Sequence, residues 1–274
     1  VFPNKRARLY FNKYLSELTD KPLWSPEYFT INELMEHLSG LQVADPITRI
    51  FELYSAFKNV TQSPVSFDNF YFYLEILQAD FDDIDKNLVA PEDIFQNLAK
   101  IKNIENYFDY LTDSQIEIIS RFWDTFIPVN ISEDQKDFLS LWESMYNIYA
   151  AFNHALRNKN LAYEGMAYKE VINRINTDKL NNLKAEKYII IGFNALNKCE
   201  KQLFRYLNNK GKAEFYWDYD DYYVNNRIHE AGYFLRDNIK EFPAPLSSLK
   251  HNNILKLEKE ISFISVPSNI GQAK

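Results

Sequence analysis

A chain of 274 residues, 46% hydrophobic and 16% aromatic, can bury a sizeable core in one or two domains. Its formal net charge of −7 argues against a broadly basic nucleic-acid-binding surface, though it leaves room for a local basic groove. Six glycines disfavour a turn-dense all-β fold, the single Cys199 excludes an internal disulfide framework and fits a reducing cytosol, and no apolar run approaches the ~18–20 residues that span a bilayer.

Val1-Phe2-Pro3 carries no initiator Met and no signal-peptide pattern, and reads as the end of a strand passing directly into a turn. The pattern then predicts a basic helix from Lys5 to Leu18 and a short strand at Tyr28-Phe29-Thr30. A helix follows from Asn32 to Leu38, with Asn32 as its N-cap and Ser39-Gly40 as its stop. Residues 46–160 read as helical and very aromatic. Ile47, Ile50, Phe51, Tyr54 and Phe57 form one apolar stripe. Phe67, Phe70, Tyr71, Leu74 and Leu77 form another, and Phe138, Leu141, Trp142, Met145, Ile148 and Tyr149 a third. This block reads as a helical subdomain inserted between residues 1–45 and 161–274, which carry α/β patterns.

In the last region a helix from Tyr163 to Ile175 precedes the run Tyr188-Ile189-Ile190-Ile191, which predicts a buried parallel strand. The run breaks at Gly192-Phe193-Asn194 into a helix-patterned stretch, Ala195 to Leu207, with Leu196, Cys199, Leu203 and Leu207 on one face. Ala213 to Trp217 reads as a second strand, Glu230 to Ile239 as a helix, and Phe242-Pro243-Ala244-Pro245 as a breaker. Ile261 to Val266 reads as a strand, and Gln272-Ala273-Lys274 stops where a helix is expected. These ends predict a fragment whose parent continues in both directions. Alternating strands and helices predict an α/β class with a parallel sheet.

The chemistry suggested by these residues is sparse. Pro3-Asn4-Lys5-Arg6-Ala7-Arg8 opens a helix straight after a strand end, where backbone amides and three cations suit a phosphate. The bland reading is a solvated helix start. In an α/β sheet the carboxyl end of a strand is where chemistry is placed. Nucleotide-driven motors keep acidic residues there to hold Mg²⁺ and position water. Gly192 and Phe193 occupy that place here, and neither binds a metal through its side chain. Asp218 and Asp220 follow the second predicted strand and are weak carboxylate candidates against ordinary turn chemistry. Asp80-Phe81-Asp82-Asp83-Ile84-Asp85 fails as an EF-hand: Asp85 stands where Gly is required and Pro91 where Glu is required, so the run reads as a solvated turn linking helices. His37, His154, His229 and His251 are isolated, and no spacing fits zinc. Cys199 reads as a core thiol. Neither a nucleophile elbow nor a complete phosphate-cradling glycine loop is present.

Several segments nevertheless fall in a familiar order. Val1 to Ala7 resembles the strand-to-helix segment after the phosphate loop of superfamily 1 (UvrD/Rep-like) helicase proteins, most of all the AddB-type subunit of bacterial double-strand-break-processing helicase–nucleases. Tyr28 to Leu34 resembles that family's next strand and helix, which border the DNA track. Tyr188 to Glu200 resembles its Walker B strand and following helix, with Gly-Phe where active motors carry Asp-Glu. Phe215 to Val224 is similar in place to the Gly-Asp-x-x-Gln segment, keeping Asp218 but with Trp217 and Asp221 at the flanking positions. Ile261 to Lys274 resembles the strand before the link to the second motor half. The resemblance implies a RecA-like, P-loop NTPase-like parallel-sheet core with a large inserted all-helical subdomain, and a PD-(D/E)XK nuclease beyond Lys274.

The resemblance further implies a catalytically degenerate domain that guides single-stranded DNA at DNA ends and docks an AddA-like helicase–nuclease partner in the cytoplasm, with no membrane contact. Lys5, Arg6 and Arg8 would contact phosphates, with Thr30 and Asn32 along the same track. No cofactor is expected in this fragment, while ATP and Mg²⁺ belong to the parent or partner. Three other readings stand beside it: a protein-interaction scaffold without DNA contact, an ATP-dependent helicase domain whose phosphate loop lies upstream, and an unrelated α/β enzyme using Asp218 or Asp220.

Overall fold

The computed structural model describes residues 1–18, 21–22, 24–100, 131–245, 252–256, 258 and 260–266. The predictions for residues 101–130, for His251 and for the helix start at 272–274 lie outside the described residues, as do the side chains of Phe138, Leu141 and Trp142. The chain divides into two compact units. The first comprises Val1–Tyr188 with Leu196–Ala213, and the second Ile189–Ala195 with Glu214–Lys274.

The first unit opens with α1 (Lys5–Glu17), capped by the Asn4 side chain, which accepts from the Ala7 N–H at 3.1 Å. Helix α2 (Ile31–Ser39) begins in a capping box and stops at Gly40, as predicted for its end. Its N-cap is Thr30 rather than Asn32, because the Thr30 hydroxyl accepts from Glu33 N–H while the Glu33 carboxylate accepts from Thr30 N–H. The strand predicted at residues 28–30 is a single parallel bridge, Phe2 to Thr30, held by bonds of 2.9 Å to the residues flanking Thr30. Strand β1 (Gln42–Val43) then pairs in parallel with β2 (Leu161–Ala162), a ladder that the periodicity did not reveal.

Between β1 and β2 lie α3 (Pro46–Thr61), α4 (Phe67–Lys86), α5 (Pro91–Lys100) and α6 (Ile131–Asn158). Helix α3 packs on α6 and α4, and α5 packs on α6. The expected helical block is present over these residues, but its stripes turn slightly. Ile47 and Phe51 face outward while Leu53 and Ala56 join Ile50 and Phe57 inside. Tyr71 is likewise exposed, whereas Phe70, Leu74, Leu77 and Phe81 are buried. Phe57 stacks on Phe70 with ring centroids 3.8 Å apart. This core is continuous with Leu41, Ala162, Tyr163, Met166 and Ala167, so the block shares its interior with segments on both sides of it.

Helix α7 (Glu164–Asn176) packs against α2 and α4. A Cβ built on Gly165 would lie 2.4 Å from the Asp82 carbonyl oxygen, so the absence of a side chain there is what lets α4 and α7 meet. Helix α8 (Lys198–Asn209) lies against α7 and buries Cys199, Leu203, Phe204 and Leu207. It starts after Asn197, three residues later than the apolar spacing alone suggests, because Asn197 and Glu200 form a second capping box. Strands β3 (Tyr188–Ile191) and β4 (Ala213–Tyr216) pair with each other, as their alternation with helices led us to expect. Strand β3 is buried on one face only, with Ile190 inside and Ile189 at 38% exposure.

In the second unit Phe215 stacks on Trp217 and on Phe242, and the Trp217 indole N–H donates to the Phe242 carbonyl at 2.8 Å. Helix α9 (Asp221–Asn225), a 3-10 turn (Glu230–Gly232), α10 (Tyr233–Glu241) and the short α11 (Asn253–Lys256) complete it. The strand expected at 261–266 does not form. These residues join no ladder among the described residues, and Phe263 is 94% exposed. An apolar run becomes a strand only where a ladder partner and a covering layer meet it. Among the described residues, no ladder joins the two strand pairs or the Phe2–Thr30 bridge into one sheet.

Candidate functional site

The Phe2–Thr30 bridge sets the starts of α1 and α2 side by side, which brings several of the predicted phosphate ligands to one edge. Lys5 ion-pairs with Glu33 at 3.5 Å and stays 84% exposed. Thr30 N–H and the Lys5 charge hold the Glu33 carboxyl below the usual carboxylate range. Arg8 lies over the Tyr28 ring, 5.7 Å from its centroid, and the Tyr28 hydroxyl donates to Asn12. Phe2, Phe11 and Tyr28 form a closed aromatic cluster beneath α1. Arg6 is exposed and makes no ion pair among the described residues. Thr30 is engaged in its capping box, and Asn32 accepts from the buried Tyr168 hydroxyl of α7. Lys5, Thr30 and Asn32 therefore share an edge, with part of their bonding capacity already committed.

The other predicted positions are structural in their local bonding. Gly192 has φ +75°, a left-handed conformation that favours glycine, and its N–H donates to the Tyr216 carbonyl at 3.0 Å. Phe193 is buried in the second unit. Asp220 accepts from the N–H groups of Tyr222, Asn253 and Ile254 at 2.7–2.9 Å, so one carboxylate caps both α9 and α11. Asp218 is exposed. A shallow open recess lies nearby, lined by Asp221, Tyr222, Asn225, Asn226 and Asn252, and it includes neither predicted carboxylate.

The acidic run 80–85 is not a solvated turn, because it forms the last two turns of α4. Asp85 is fully buried there. It accepts from the Tyr149 hydroxyl at 2.6 Å, from the Tyr163 hydroxyl, and from the Lys169 ammonium at 2.7 Å. Its backbone carbonyl also accepts from the Cys199 thiol. One turn earlier, Asp82 pairs with Lys86 at 2.6 Å and receives the Gly165 N–H, while Lys86 reaches Glu164 at 2.9 Å. Burial opposes the charges of Lys86 and Lys169, yet the facing carboxylates outweigh it and hold both above the ordinary lysine range. Burial raises the Tyr149 hydroxyl to about 12, and raises the Cys199 thiol likewise to about 12, so Cys199 is an inert core thiol. Burial also lifts Glu200 to about 7.

This network ties α4, α6, α7 and α8 together, and it was missed in the sequence. The signal was there: Leu74, Leu77 and Phe81 lead by helical steps to Asp85, placing a carboxylate on an apolar stripe. Among the described residues no group of three or more His, Cys, Asp or Glu is placed to hold a metal ion, and no helix is long and apolar enough to cross a membrane.

No family model matches the chain, and no solved structure matches it. The chain is similar to the protein translocase subunit SecA of Blochmanniella floridana, with 23% identity over 190 residues. That alignment takes in 65% of this chain, which spans 22% of the length of that relative.

Proposed function

We propose that this chain is a catalytically degenerate, helicase-like domain on a RecA-like plan, akin to the AddB-type subunits, that guides single-stranded DNA in the cytoplasm without hydrolysing ATP. The observation that carries the reading is α1. It has no buried residue and presents Lys5, Arg6, Arg8 and Lys13 against a single acid, Glu17, on a chain whose net charge is −7. A local cationic face on an acidic protein suits a polyanion. The lack of a carboxylate at Gly192 and Phe193 supports binding without turnover. An AddA-like motor subunit is the partner proposed for this domain, with ATP and Mg²⁺ bound by that partner.

The test is a fluorescence-anisotropy titration of labelled single-stranded DNA at low and moderate salt. We expect affinity to fall steeply with salt, and the Lys5→Ala, Arg6→Ala, Arg8→Ala triple variant to lose most of it. Absence of binding at low salt would sink the reading. A scaffold reading has its own support in the exposed Leu9 and Leu18, at 67% and 83%. It predicts that the triple variant leaves partner binding intact.

A further inference from the structure

The outer face of α1 carries rings as well as charges. Tyr10 and Tyr14 are 56% and 59% exposed. They lie four residues apart, one turn and about 6 Å along the axis. Their neighbour Phe11 points the other way, into the cluster with Phe2 and Tyr28, so packing beneath α1 is already satisfied without them. Among the described residues neither ring meets another ring, and neither hydroxyl is hydrogen-bonded. Among the described residues Arg6 and Lys13, one helical step from Tyr10 on either side, make no ion pair. Aromatic rings left bare between free cations are ill suited to water alone and well suited to a ligand with both flat faces and negative charge.

We infer that Tyr10 and Tyr14 are a stacking platform for the bases of a single strand, with Arg6 and Lys13 holding the adjoining phosphates. The inference rests on the DNA-guiding reading and sharpens it. Phosphate contacts alone do not distinguish a strand with exposed bases from one whose bases are hidden, whereas two free rings do. An anionic lipid surface would satisfy the cations, but the exposed apolar residues Leu9 and Leu18 stand nine positions apart, on opposite sides of the helix, and so make no single apolar face for it.

The experiment compares a dT 20-mer with an abasic 20-mer of the same length and charge, by anisotropy in the same buffer. The 274-residue chain should bind the dT strand at least about tenfold more tightly. Tyr10→Ala with Tyr14→Ala should reduce dT affinity to the abasic level, leave abasic binding unchanged, and leave the melting temperature unchanged because both rings are exposed. Tyr10→Phe with Tyr14→Phe should keep the preference. Equal affinity for the two strands, or a preference that survives the double alanine variant, overturns the platform. If both strands then lose affinity in the Lys5, Arg6, Arg8 variant, the guiding reading stands without it. No binding of either strand overturns both. Binding to phosphatidylserine vesicles with none to dT assigns the helix to a lipid surface and overturns the platform.

Discussion

Asp85 offers the sharpest test of how the first unit is held together. Replacing it with Ala removes a carboxylate with no solvent exposure, which takes the acceptor from the Tyr149 hydroxyl, leaves the Tyr163 hydroxyl only Asn153, and leaves the Lys169 ammonium only the Tyr149 oxygen. Three hydrogen bonds to a charged acceptor, at about 1.5–3 kcal/mol each when counted singly, set a figure that the surviving Tyr163–Asn153 and Lys169–Tyr149 bonds lower. Breaking one side of a buried ion pair costs about 3–5 kcal/mol, so about 4 kcal/mol is expected for Asp85→Ala. Lys169→Met should cost less, about 2 kcal/mol. The lysine side chain is 30% exposed, and Asp85 keeps both hydroxyl donors. Tyr149→Phe removes one donor and should cost about 1 kcal/mol. Urea unfolding followed by tryptophan fluorescence measures all three, provided the slope with denaturant is unchanged. The double variant Asp85→Ala with Lys169→Met should lose less than the two single losses combined, since both touch one network. An Asp85→Ala loss below about 1 kcal/mol, the level of a surface pair, would refute the reasoning.

Glu200 should make stability depend on pH in the direction opposite to most carboxylates. Its folded value of about 7 stands above the ordinary 4.5, so the folded chain binds the proton more tightly. Its contribution is therefore favourable below the unfolded value and is lost as pH rises through 7. Relative to Glu200→Gln, the parent chain should lose about 3 kcal/mol between pH 4.5 and pH 8, read by urea unfolding at each pH. A difference that does not vary with pH would remove burial as the cause. Gly165→Ala should destabilise by about 1–3 kcal/mol, because the new methyl meets backbone at the α4–α7 contact. A thermal melt of this variant matching the parent would show that the two helices separate freely.

Much of the helical part was legible from apolar spacing, and its errors share one cause. Periodicity finds the buried side of a helix to within a fraction of a turn, which is why Ile50 and Phe57 came inside while Ile47 and Phe51 did not. Starts were misplaced where a side chain rather than the backbone pattern ends the helix. Thr30 and Asn197 cap through reciprocal bonds with acids three residues on, a pairing visible in the sequence as Thr-x-x-Glu and Asn-x-x-Glu. The ladder of β1 with β2 joins dipeptides 119 positions apart, and no local pattern encodes such a partner. The same limit applies at 261–266, where β-branched residues alone do not make a strand. For the site, Lys5, Arg6 and Arg8 were read from their charge and position. Asp85 was hidden because it was counted with its neighbours as one acidic run, although helical geometry turns Asp83 outward and Asp85 inward.

The β1–β2 ladder has a consequence for how the chain tolerates change. Pairing Gln42 with Leu161 brings the entry and exit of the helical excursion to neighbouring strands, about 4.8 Å apart. The entropy of closing such a long excursion grows only with the logarithm of its length, so doubling it would cost about 0.6 kcal/mol. A change in the length of the excursion therefore leaves the α1–α2 edge in place, and the helical block can diverge in size while the basic helix keeps its footing.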